Sequence, residues 1–166
     1  MLPYETALEI TDPGRLWKAR LKALFQTHMG FVFEQIAKQA YYRHLADSEL
    51  PIVREWGRWE GQDRNREPVE IDIATELVDG RILSGAIQHR SRPMGPGVFT
   101  QHLRDLERVA SSGSHGAWAH RALEAESPFL FVSVSGFSDE FHRMIEASER
   151  NVIAWGIDDL FGGFCA

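Results

Sequence analysis

The sequence lacks the features that would place it in several large classes. It has one cysteine, Cys165, among 166 residues, so no internal disulfide can form and a cytoplasmic setting is expected. No apolar run approaches the ~18 residues that a membrane-spanning helix needs. The opening "MLPYETALEITDPGRLWKAR" has no basic stretch leading into an apolar one, so no signal peptide is expected. The phosphate-binding pattern G-x-x-x-x-G-K-[ST] is missing, and this chain is therefore not itself a P-loop ATPase. There is no H-E-x-x-H. His115 and His120 stand out of register for one helical face, and His28, His44, His102 and His142 read as surface or boundary residues. "SSGSHG" has no nucleophile-elbow pattern and reads as a flexible loop. Positive charge is also short: 18 Lys and Arg against 24 Asp and Glu give a net charge of −6. A protein that grips duplex DNA by neutralising phosphates usually carries a basic surface, so the balance disfavours that role.

What is present is the pattern of one soluble α/β domain, with 43% hydrophobic residues. Residues 1–13 read as an appendage ending in the helix-start signal Thr11-Asp12-Pro13. Leu16, Leu21, Leu24 and Phe25 suggest a first helix. After Gly30, Phe33, Ile36, Ala37, Ala40, Tyr41 and His44 form the stripe of a second. The period then changes. Residues 52–60 suggest a strand on which Trp56 and Trp59 face opposite sides. Val69, Ile71 and Ile73 alternate with Glu70, Asp72 and Ala74 as a second strand. Asp79-Gly80 is a hairpin turn, and 81–89 returns as the third strand. Helices follow over 98–109 and 117–125, and Phe129–Val134 is a strand buried on both faces. Ser138 caps another helix, 151–155 is a last strand, and "IDDLFGG" is a closing turn. The order α-α-β-β-β-α-α-β-α-β predicts a mixed sheet with helices on both faces.

Two positions apart on a strand, Glu70 and Asp72 project together. Paired carboxylates repel, and are costly to bury unless a cation or hydrogen bonds offset their charge. By pattern alone they read as solvated surface acids. The wider order of motifs adds to this. Gly30 with Phe33-Glu34, then Trp56-Gly57-Arg58-Trp59, Glu70-Ile71-Asp72-Ile73-Ala74, and Ser135-Gly136-Phe137 occur in sequence. Over roughly residues 27–161 this resembles the restriction-endonuclease-like (PD-(D/E)XK) domain of unknown function found C-terminal to archaeal-type P-loop ATPases. The resemblance implies an α-β-β-β-α-β core over 27–166, with 1–26 as an N-terminal appendage or the stub of an upstream region.

It also implies a site. Glu34 matches the acid on the first core helix, and Asp72 the metal-binding aspartate. The third strand of the active fold presents a Glu-x-Lys pair. Aligned on Gly85, Ala86 falls at the glutamate and Gln88 at the lysine, while His89 is expected to face the opposite side. Ala86 offers no ligand and Gln88 no charge, and losing one preorganised electrostatic group typically costs ~100-fold or more in rate. The leading expectation is therefore a non-catalytic module without a cofactor, with an interaction or regulatory role, partnered by a P-loop ATPase fused upstream or encoded separately. One alternative is a weak Mg- or Mn-dependent DNA nuclease with a rearranged site of Glu34, Glu70, Asp72 and Gln88, its metal held by Asp72 and Glu70. Another is nucleic-acid binding without cleavage, through Arg90 and Arg92. In the non-catalytic case Glu34 and Asp72 persist as structural acids, bonded to backbone or paired with an arginine.

Overall fold

The computed structural model describes residues 22–162. Thr11-Asp12-Pro13, the Leu16 start of the first expected helix and Cys165 lie outside that range. Instead of two helices parted at Gly30, one helix, α1 (Lys22–His44), runs through it. A mid-helix glycine costs only ~1 kcal/mol. Burial of Ala37, Ala40 and Tyr41 further along the same helix outweighs that cost.

The region read as a three-stranded meander contains four strands. Residues 52–57 run beside a neighbouring strand without becoming one: Arg54 donates its amide to Glu76, and Val78 donates to Ile52. β1 (Trp59–Gln62) pairs antiparallel with β2 (Pro68–Ile71) in a two-stranded sheet. The chain then breaks at Asp72. β3 (Ile73–Glu76) joins the main sheet, antiparallel to β4 (Ile82–Gln88). The hairpin between them turns at Gly80, whose φ of +88° suits a residue without a Cβ.

α2 (Pro96–Ala110) follows, and then "SSGSHG", which is not a loose loop but an ordered 3-10 turn at Gly113–Gly116 leading into α3 (Ala117–Leu123). β5 (Phe129–Ser133) lies parallel to β4, α4 (Asp139–Ala147) crosses back, and β6 (Val152–Trp155) lies parallel to β5. Ser138 caps α4 as expected, its hydroxyl accepting from the Phe141 amide at 3.2 Å. The expected closing turn is a short helix, α5 (Ile157–Phe161).

The main sheet therefore runs β3-β4-β5-β6, mixed, with helices on both faces. β5 shows why its apolar run is continuous. Phe129 and Phe131 join the core with Phe99 and Leu106 of α2 and Phe141 of α4, while Leu130 and Val132 join the one with Ala37 and Tyr41 of α1. Trp56 packs against Tyr41 at 5.5 Å, and Trp59 against Trp118 at 6.1 Å, each on its own side of the sheet. His102 departs from the expected surface role. It is buried in the α2 core, edge-on to Phe129 at 4.9 Å and 3.0 Å from the Ser84 hydroxyl.

Candidate functional site

The strand break at Asp72 makes the site. Continuing the β3–β4 register would set Ile71 opposite Ile87, but Ile71 pairs with Trp59 instead. The Ile87 amide is left without its ladder partner, and Asp72 supplies one: its Oδ2 accepts from that amide at 2.8 Å. An acid placed where a strand changes sheets thus replaces a backbone carbonyl.

Three carboxylates converge there. Glu34 from α1, Glu70 from β2 and Asp72 each offer an oxygen, all within 4.8 Å of one another. Arg58, just before β1, holds two of them. Its Nη1 donates to Glu34 Oε1 and Oε2 at 3.3 and 3.4 Å, and its Nη2 donates to Glu70 Oε1 at 2.8 Å. The same Nη2 also pairs with Glu60. The Phe31 ring lies 5.4 Å below the guanidinium carbon, a cation–π contact that keeps it in place. Glu34 is the least exposed of Arg58's partners, its side chain 17% exposed against 54% for Glu70.

His89 takes the side of β4 opposite Ala86, stacked against α1. It faces away from the Ala86 and Gln88 side, but that brings it into the pocket with Glu34, Glu70, Asp72 and Arg58, a cavity of about 430 Å³. Its ring stacks on Phe33 at 5.7 Å, with the planes 8° apart. Ala86 and Gln88 instead line the adjoining groove of about 1080 Å³, together with Asp72, Arg90 and Arg92. The Gln88 amide donates to the Arg92 carbonyl at 3.3 Å and anchors the chain leaving β4. His115 and His120 are exposed, and the only metal-compatible group among the described residues is the three-carboxylate cluster.

Does this cluster fit a resident magnesium? A compact cation needs carboxylate lone pairs free. Arg58 already engages both Glu34 oxygens and one of Glu70, and Asp72 Oδ2 is committed to Ile87. With Arg58 where it stands, both Glu34 oxygens are bonded to the guanidinium and only Glu70 Oε2 and Asp72 Oδ1 stand outside these bonds. The three acids therefore hold a cation together only if Arg58 moves, and no step of chemistry follows through one.

The electrostatics are read most directly in Asp72. Burial pushes its carboxyl up to about 6; the Ile87 amide opposes this, Glu70 and Glu34 add to the rise, and Arg58 again opposes. His102 moves the other way, burial lowering its imidazole to about 3 with Arg150 adding to the drop. A raised native acid gives stability that is present below its unfolded pKa and lost as pH rises through the native one. A depressed native histidine gives stability that is present above its unfolded pKa and lost as pH falls towards the native one, by at most ~1.4 kcal/mol per pH unit. The two therefore oppose each other between pH 6 and about 4. Urea unfolding across that range should show Asp72→Asn losing stability with acid more steeply than the wild type. Parallel curves would contradict the raised Asp72.

Fold and site together define a mixed α/β domain with an arginine-clasped acid cluster at the point where one strand passes between two sheets. The chain belongs to the DUF234 family, described as archaeal and bacterial proteins of unknown function, whose model matches residues 1–91. No curated protein matches it. A solved structure described as EndoMS in apo form is similar at a TM-score of 0.41 and 8% identity, over 75% of this chain and 46% of that one. The chain thus spans less than half the length of that protein.

Proposed function

We propose that this chain is a non-catalytic nuclease-fold module that works by interaction or regulation. The observation that carries it is the position of Arg58. A guanidinium occupies the carboxylates that a catalytic cation would require, and the adjacent β4 positions, Ala86 and Gln88, add neither an acid nor a lysine. The order α1, antiparallel strands, α2, parallel β5 supports the restriction-endonuclease-like reading of the motifs. The resemblance of motif order supports a P-loop ATPase, in the same or a neighbouring chain, as the partner. An ATPase-encoding region joined to or adjoining this one is expected, and its product should bind this chain.

A second reading, a metal-dependent phosphodiesterase with rearranged groups, is favoured by one observation: Glu34, Glu70, Asp72 and His89 share a pocket. The two readings separate in one assay, nicking of supercoiled plasmid by excess protein in magnesium or manganese, with Asp72→Asn alongside. The non-catalytic reading expects no nicking beyond what Asp72→Asn also shows. Cleavage abolished by Asp72→Asn would establish the second reading.

A further inference from the structure

Beside the acid cluster, a wide groove lies between α1 and the segment joining β4 to α2. Met29 and Phe33 of α1 and Val98 of α2 give it an apolar lining, and Arg90 and Arg92 give it charge. Both arginines are exposed, and neither forms an ion pair with any described residue. Among the described residues, six other arginines, Arg54, Arg58, Arg81, Arg108, Arg121 and Arg143, pair with carboxylates. Arg90 and Arg92 also sit on a tethered backbone. Ser135 Oγ donates to the Arg90 carbonyl at 2.7 Å, and the Gln88 amide holds that of Arg92. A backbone held in place beside an apolar floor has less freedom to lose when a partner arrives.

We infer that this groove docks a short segment of a protein partner that presents apolar side chains beside one or two carboxylates. The inference rests on the interaction reading above and specifies its partner's chemistry. The apolar floor takes the side chains, and Arg90 and Arg92 take the carboxylates as charge-assisted, bidentate pairs. A nucleic-acid strand fits less well. The groove shares Asp72, Ile87, His89 and Gln26 with the acid pocket, so a polyanion following it meets Glu34, Glu60 and Glu70. A peptide can place its few charges at the arginines alone. The groove's volume, about 1080 Å³, lies just above the ~300–1,000 Å³ of ligand sites, room enough for a few residues.

The test is selection of a random decapeptide display library on the full chain, with counter-selection on Arg90→Glu/Arg92→Glu. Enriched peptides and an oligothymidylate, each labelled with fluorescein, are then titrated by anisotropy. The expected peptides combine Asp or Glu with Leu, Phe or Met. The double charge reversal should weaken them ~10-fold or more, and Val98→Ser ~3-fold, as loss of two ion pairs and of apolar contact implies. Circular dichroism should show both variants folded as the wild type. Absence of selective enrichment, enrichment of neutral or basic peptides, or oligothymidylate binding that competes with the peptides would overturn the inference. Plasmid cleavage dependent on Asp72 would instead remove the interaction reading, whatever the peptides do, so the two failures are distinguishable.

Discussion

Replacing Arg58 with alanine should destabilise the domain by about 2 kcal/mol and, in the same variant, open a cation site. Breaking a buried ion pair by removing one partner costs ~3–5 kcal/mol, because a charge is left uncompensated. Here Arg58 is 28% exposed and Glu70 54%, so solvent screens part of the loss. What remains is concentrated on Glu34, and on Asp72, whose carboxyl rises further without the guanidinium beside it. Once Arg58 is gone, the lone pairs of Glu34 and Glu70 are free. Manganese should then raise the melting temperature of Arg58→Ala while leaving the wild type nearly unmoved. Arg58→Lys should recover little, because one ammonium cannot span the geometry of a planar fork. Equal stability of wild type and Arg58→Ala, with no manganese effect on either, would contradict the clasp.

Phe131→Ala should cost ~3–5 kcal/mol, the range for deleting a buried aromatic ring. Phe131 is fully buried. Its ring meets Phe141 at 5.4 Å, His102 at 5.6 Å and Phe99 at 5.8 Å, so it joins α2 and α4 to the sheet. A side chain set among elements from three parts of the chain leaves a cavity that no single neighbour can fill by shifting. Against a typical total stability of ~5–15 kcal/mol, this loss takes about a fifth or more. Urea unfolding should show a lower midpoint with an unchanged m-value. Phe131 also lies across from Ala86 in the β4–β5 register, so the loss should loosen the strand that carries Ile87 and, through its amide, Asp72. A cost below ~1 kcal/mol would mean that the core around β5 is not packed as described.

The elements held by local period were legible. The continuous run of β5, the stripe of α2, the Ser138 cap and the Asp79-Gly80 turn all follow from residues a few positions apart. The break at Asp72 was not, because Val69, Ile71 and Ile73 keep their alternation while the backbone passes from one sheet to the other. Ile71 and Ile73 consequently bury into different cores. His102 was misplaced although its position signalled burial, since Phe99, His102, Leu106 and Val109 lie on one helical stripe. Arg58 left no local trace: it stands 24 residues from Glu34 and 12 from Glu70, and only folding brings them together. The sequence implies acids bonded to backbone or paired with an arginine, and the fold supplies Ile87 and Arg58. The side of β4 that His89 takes follows from strand alternation, but that α1 packs there and carries Glu34 into the same pocket is a product of the fold.

Manganese titrated into the wild-type protein, with free ion followed by electron paramagnetic resonance, tests the Arg58 clasp directly. An acid cluster whose Glu34 and Glu70 are held by Arg58 predicts no site tighter than ~1 mM, about 4 kcal/mol of binding. A single site ~10-fold tighter or more, lost in Asp72→Asn, would show a resident cation and contradict it.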